Sequence, residues 1–261
     1  MTQRRHVARE GAEKVMPYDA SRQKGEQVEQ MFDSIAPAYD FMNTAMTFGL
    51  HNVWRRIAMQ SLGKRLPEGV ASPRILDIAT GTGDIVFDLL RRFPGSRITG
   101  ADLSAGMLAV ARRKLASAPP EWHSRVSFEQ ADCLHLPYPD SSFDAVTVGY
   151  GVRNFQRLEE GYREMARVLR PGGTVCVIEL SCPVRQPMRS LYDIYATRLI
   201  PAIGRLVSGD SRAYSYLPES IAAAPQRDAM TELMLRAGFS DAEWRSLTFG
   251  VVTLYFASVA R

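Results

Sequence analysis

Apolar and polar positions along this chain change period several times, and the changes predict its elements. Five short, mostly apolar runs, Arg74–Ile78, Ser96–Ala101, Val126–Ala131, Phe143–Val148 and Thr174–Glu179, have the length and composition of strands. Helical spacing separates them. One run goes from Ile85 to about Arg92, and a second follows a Ser104 cap with Met107, Leu108, Ala111 and Leu115 on one face until Pro119-Pro120 stops it. A third, around Glu159 to Leu169, should end at Pro171-Gly172-Gly173. Strands alternating with helices predict an α/β fold with a doubly wound, mostly parallel sheet. In such sheets ligands sit at the carboxyl ends of the strands, where Gly81, Asp102, Asp132, Gly149 and Glu179 would gather.

Outside this block the pattern differs. Residues 1–24 are polar without a period and predict a flexible arm. Val28, Met31, Phe32 and Ile35 then fall at helical spacing, and aromatics and methionines crowd the stretch from Tyr39 to Trp54. From Pro183, the positions Leu191, Tyr192, Ile194, Tyr195, Leu199, Ile200, Ile203 and Val207 predict amphipathic helices interrupted at Pro201 and Gly204. A helix from about Gln226 to Ala237 precedes two β-rich runs, Ala242–Thr248 and Val251–Val259, which close the chain as a hairpin around Gly250. Residues 25–261 thus form one domain, with helical cap elements at about 26–62 and 183–222. Pattern alone leaves the aromatic stretch open between plain core and a cap over an apolar ligand.

The first strand leads into Gly81-Thr82-Gly83, a strand–glycine–helix turn of the kind that brings bare backbone to a nucleotide-like ligand. A dinucleotide site would carry a third glycine where Val86 stands. Asp77 precedes the turn by four residues, and Asp102 follows Gly83 by nineteen, the place for a carboxylate that accepts two ribose hydroxyls. This combination resembles the first motif of S-adenosylmethionine-dependent methyltransferases. Asp132 could meet an adenine amino group with Cys133 against the ring, while Asp77 or Asp84 could hold an amino group directly or through water. Arg153 and Asn154 follow a Gly-x-Gly loop at a strand end, where a substrate would meet a cofactor. Arg153 stays protonated, so it can stabilise a phenolate or polarise a water but not act as an easy base. His51 is the most plausible titratable base of the four histidines.

Composition narrows this only a little. Of 261 residues, 46% are apolar and 23% charged, as in ordinary globular proteins. The net charge of +4 is mild, and no Lys/Arg cluster alternates with aromatics, so nucleic acid is not an expected partner. A weakly basic surface would still favour an anionic membrane. Cys133, Cys176 and Cys182 form no C-x-x-C pair, which suggests neither a disulfide framework nor a metal site. No stretch approaches eighteen uninterrupted apolar residues, and the first residues lack a signal-peptide core, so a cytoplasmic location is the default expectation.

Tyr39-Asp40-Phe41-Met42-Asn43 with Gly49, His51 and Trp54, and Arg167–Gly173 continuing to Glu179-Leu180-Ser181, resemble the two signatures of the ubiquinone/menaquinone biosynthesis C-methyltransferases, the UbiE/MenG family. Gly149–Asn154 is similar to a block between them. The departures are mild: Thr47 for Ser, Arg170 for Lys, and Gly149 where Ser is common, which leaves only backbone to serve there. The resemblance implies a class I methyltransferase fold, S-adenosylmethionine as cofactor, and cofactor contacts at Thr82, Asp102, Asp132, Cys133 and Gly149; Asp77, Gly81 and Gly83 of the glycine turn are expected to bind the cofactor beside them. It implies Arg153 and Asn154 at the reacting ring, with His51 or a water easing a phenol proton away. The implied acceptor is a reduced polyprenyl quinone, demethylmenaquinol before 2-polyprenyl-6-methoxy-1,4-benzoquinol. With it come an expected transient contact with the inner face of the cytoplasmic membrane and a homodimer left open. Rivals from other classes are a nicotinamide oxidoreductase and a catalytically silent scaffold for quinone biosynthesis.

Overall fold

The computed structural model of the chain describes residues 11–67, 69–199 and 211–261. Seven strands make one sheet: β1 (Arg74–Ile78), β2 (Arg97–Asp102), β3 (Val126–Gln130), β4 (Phe143–Gly149), β5 (Leu169–Leu180), β6 (Asp241–Leu247) and β7 (Val252–Ser258). Their order is β3-β2-β1-β4-β5-β7-β6. The first five run parallel, β7 lies antiparallel to β5, and β6 pairs antiparallel with β7. This is the doubly wound sheet and closing hairpin that the alternation predicts.

The apolar runs are continuous because both sheet faces are covered. On one face α3 (Leu50–Gly63), α4 (Asp84–Arg92) and α5 (Ala105–Ala116) pack Trp54, Leu62, Val86, Leu89 and Leu108 on Ile75, Ile98, Cys176 and Leu254. On the other, α6 (Leu158–Val168) and α9 (Asp228–Arg236) pack Tyr162, Met165, Met230 and Met234 on Leu76, Val146, Val148 and Val177. Alternate residues of one strand therefore serve opposite cores, as the period of two requires. Strand order reverses at β1, so a crevice opens between the carboxyl ends of β1 and β4. Above it stand α1 (Lys24–Ile35), α2 (Tyr39–Thr47), α7 (Met188–Ile194) and α8 (Ser211–Ala223). Met31, Met42 and Tyr216 form a small core of their own among these helices.

Two expectations need correction. The chain leaves α6 at Leu169 already extended (φ −74°, ψ 138°), so Pro171-Gly172-Gly173 does not stop the helix. It forms a bulge inside β5 instead, where pairing with β4 jumps from Leu169↔Phe143 to Thr174↔Ala145 and Gly172 takes a φ of +74°. The arm expected through residue 24 packs on the body from Gly11: Ala12 is buried, and Lys24, wholly buried, begins α1. Residues 1–10 lie outside the described residues, as do Ile200, Pro201, Ile203, Gly204 and Val207. No helix of the described residues is long and apolar enough to cross a membrane.

Candidate functional site

The glycine turn is held from beneath. Asp77 is buried at the end of β1, where Thr80 Oγ1 and Thr147 Oγ1 donate to its two oxygens at 2.7 and 2.6 Å. Burial pushes its carboxyl up to about 7 against the pull of those hydroxyls. Gly83 takes a φ of +83° and opens α4; a Cβ there would stand 3.1 Å from Phe128 and 3.2 Å from Phe87. The Thr82 hydroxyl donates to Asp40 Oδ1 at 2.6 Å. Asp77, Thr82 and Gly83 therefore shape the turn and line neither cavity of the crevice.

The other five candidates converge. Gly81, Asp102, Asp132, Cys133 and Gly149 line a cavity of about 100 Å³ between the glycine turn and the ends of β2, β3 and β4. Gly25, Val28 and Phe32 of α1 close it from above. Asp102 accepts from Gly81 N at 2.7 Å and Ser104 N at 2.9 Å, which uses two of the roughly four lone-pair directions of a carboxylate and leaves the others for a ligand. Burial raises this carboxyl to about 6, opposed by the same backbone donors. Asp132 Oδ1 accepts from Leu134 N, while burial pushes the Cys133 thiol well up, so it offers a neutral surface to a ring. A Cβ on Gly149 would stand 2.3 Å from Ile85 Cδ1, so the bare backbone there also keeps Ile85 in place. A carboxylate with free lone pairs, an open glycine edge and an apolar slot fit the ribose, the chain and the base of S-adenosylmethionine.

A larger cavity of about 310 Å³ adjoins the first and shares Phe32, Tyr39, Tyr150 and Asn154 with it. Its lining is mostly apolar, from Met31, Ile35, Met42 and Met46 to Leu191 and Val251. All three catalytic candidates line it. Asn154 accepts from the Tyr216 hydroxyl at 3.1 Å. His51 Nδ1 lies 2.7 Å from Thr47 Oγ1, and burial, then Arg55, hold its imidazole below the usual histidine range. Arg153 is buried, and its Nη1 donates to Glu179 Oε1 at 2.7 Å and to the Tyr150 carbonyl. Burial disfavours that charge, but the Glu179 carboxylate outweighs it and keeps the guanidinium protonated. Only two buried side-chain polar atoms among the described residues lack a partner, Tyr150 hydroxyl and Arg153 Nε, and both residues wall this cavity. Each is a hydrogen-bond donor, and an orphaned buried donor is costly unless a ligand oxygen meets it.

Several contributors escape motif reading. Glu179 was placed among the strand ends without a role; it holds Arg153 by side chain and, at 3.3 Å, by backbone N–H. Lys24 Nζ donates to the Ala12 carbonyl (2.5 Å) and the Arg153 carbonyl (3.0 Å), tying the N-terminal segment to the loop that carries Arg153. Burial lowers this ammonium to about 8. Asp40, besides Thr82, pairs with Lys114 at 2.5 Å; Lys114 reaches Asp84, which with Asp88 holds Arg55. This chain of ion pairs fastens α2 and α3 to the glycine turn. Asp84, an alternative for the amino-group contact, is consumed in it.

Residues 20–259 match the sequence profile described as the ubiE/COQ5 methyltransferase family. A demethylmenaquinone methyltransferase of Porphyromonas gingivalis is 46% identical over 244 residues, covering 93% of this chain and 97% of that one. A ubiquinone/menaquinone biosynthesis C-methyltransferase UbiE of Geobacter sulfurreducens is 41% identical over 89% of this chain and 88% of its own. Among solved structures, a SAM-dependent methyltransferase of Thermotoga maritima superposes with a TM-score of 0.59 at 17% identity, covering 88% of this chain and 98% of that one. At that identity the likeness is one of fold.

Proposed function

The chain belongs to the ubiE/COQ5 methyltransferase family, and on that premise we propose that it C-methylates demethylmenaquinol, a reduced polyprenyl quinone, with S-adenosylmethionine as donor. The observation that carries this reading is the shared wall. A 310 Å³ apolar cavity, lined in part by the two residues that carry unpartnered buried donors, abuts, through Phe32, Tyr39, Tyr150 and Asn154, the cavity that holds Asp102.

S-adenosylmethionine supplies an electrophilic methyl group when bound. Asp102 accepts the ribose hydroxyls, Asp132 and Cys133 face the base, and the edge of Gly81 and Gly149 passes the chain. Arg153 Nε and the Tyr150 hydroxyl meet one ring oxygen of the acceptor, so that it gains phenolate character and makes the neighbouring carbon nucleophilic. His51, kept neutral by its surroundings, takes up the phenol proton directly or through a water. Glu179 and Lys24 hold the Arg153 loop, and the cap excludes water. The apolar lining takes the start of the prenyl chain, at about 0.8 kcal/mol per buried CH₂. Because such an acceptor resides in lipid, the reading includes transient contact with the inner face of the cytoplasmic membrane.

The test is incubation with methyl-labelled S-adenosylmethionine and demethylmenaquinol under reducing conditions, with label expected in the lipid and none with the oxidised quinone. Label in 2-polyprenyl-6-methoxy-1,4-benzoquinol alone would move the protein to ubiquinone biosynthesis. No label in either, beside an active control enzyme, would leave the scaffold reading. Tight NADH binding would restore the oxidoreductase.

A further inference from the structure

Among the described residues, three segments at the large cavity each bear an exposed apolar residue close to those that line it, and together they make a rim. Phe48 and Leu50 line the cavity, and Val53 stands exposed one turn further along α3. Leu191 lines it, and Ile194, one turn on in α7, is 54% exposed. Thr248 and Val251 line it, and Phe249 between them is 79% exposed. Burial cannot account for these side chains, and so many around one opening depart from the scatter of single apolar residues that any surface shows.

Two of the rim segments are built alike. Phe48-Gly49 and Thr248-Phe249-Gly250 are both tips in the left-handed region, with φ of 50° and 75° in the first and 48°, 55° and 95° in the second. A phenylalanine there is strained and yields no packing in return, since the Phe48 ring is itself 77% exposed. Trp54 Nε1 of α3 donates to Thr248 Oγ1 at 2.7 Å, which fixes the second tip beside the helix that follows the first.

Charge completes the picture. Residues 41–56 and 184–198, which carry most of this rim, contain five arginines and one acidic residue, Asp193. Arg55 is spent on Asp84 and Asp88, whereas Arg56, Arg185, Arg189 and Arg198 are exposed.

We propose that this rim is a docking surface for an anionic lipid bilayer: the Phe48 and Phe249 tips and Ile194 enter the interface, the arginines meet lipid phosphates, and the cavity mouth opens directly onto the acyl region. Apolar tips flanked by exposed arginines are what an interfacial lipid surface binds. An acceptor would then slide from lipid into the cavity without crossing water, which rests on the reading of a prenylated acceptor.

The test uses the full chain and vesicles free of quinone, in phosphatidylcholine with or without phosphatidylglycerol. The protein should pellet with the anionic vesicles and be released by added salt. The variant Phe249→Ser/Ile194→Ser changes two residues that line neither cavity, and each change should weaken partitioning roughly 10-fold. Methylation of a vesicle-borne acceptor should fall in parallel, while that of a short-chain, water-dispersed demethylquinol stays unchanged. Equal pelleting of parent and variant would overturn the proposal. So would a parent that sediments as a dimer which the variant splits, because the rim would then be an interface between copies. Failure to label any quinol would sink the acceptor reading alone, since vesicle binding is measured without it.

Discussion

Replacing Arg153 by methionine would do two things at once, and a second substitution separates them. The side chain fills its place, but Glu179, 3% exposed in its side chain, loses the guanidinium that neutralises it. Leu180 N, at 2.8 Å, still donates to that carboxylate, yet the charge stays buried and unpaired. Breaking a buried pair from one side costs about 3–5 kcal/mol. For a chain of this length each kcal/mol shifts the midpoint by roughly 2–4 °C, so thermal unfolding should begin about 6–20 °C lower. Adding Glu179→Gln removes the stranded charge and should return most of that loss. The loop itself should hold, because Lys24 grips the Arg153 carbonyl, not its side chain. Turnover should not return: losing a donor aimed at the developing phenolate costs about 100-fold or more. Cofactor affinity should stay near the parent value, since Arg153 does not line the smaller cavity. Calorimetric unfolding, cofactor titration and initial rates on the parent and both variants decide the matter. If the double variant recovered turnover along with stability, Arg153 would be a structural residue and its catalytic role would be refuted.

Two further outcomes follow from the same geometry. On the proposed reading Asp102 accepts both ribose hydroxyls best as the carboxylate, and burial has raised it to about 6, so cofactor affinity should hold above that pH and fall up to about tenfold per unit below it; Asp102→Asn should lower affinity about 100-fold at pH 7.5 and abolish that slope, and a slope surviving in the variant would assign it to another group. Asp40→Ala cuts the bond to Thr82 and the pair with Lys114, so the KM for the acceptor should rise about 5–10-fold with cofactor binding little changed, and steady-state kinetics with each substrate varied would show it.

Much of the fold was legible in sequence because burial on both faces leaves strands no polar positions to confuse the period. Strand ends came out within a residue or two except at the start of β5, which begins five residues before the expected Thr174, and the hairpin 241–258 was readable from its two β-rich runs. The turn that follows α6 was not: proline and two glycines suit a helix stop and a strand bulge equally well. At the site, spacing located the glycine turn but could not say which way its side chains point. Asp77 and Thr82 lie within a few residues of Gly81, yet their polar groups face Thr147 and Asp40, each brought near only by the fold. Lys24 was hidden for a related reason. A single buried cation in an aperiodic polar stretch leaves no pattern, and its two carbonyl partners are 12 and 129 positions away.

The wall between the two cavities has a mixed origin. Phe32 and Tyr39 come from the cap, whereas Tyr150 and Asn154 come from the loop after β4. Any opening through it therefore depends on how the two bodies sit against each other. Part of the cap's shape comes from the small core of Met31, Met42 and Tyr216, and the same three residues line the larger cavity. Repacking that core would therefore change the acceptor's seat and the opening toward the cofactor together, while the loop after β4 keeps its own anchors.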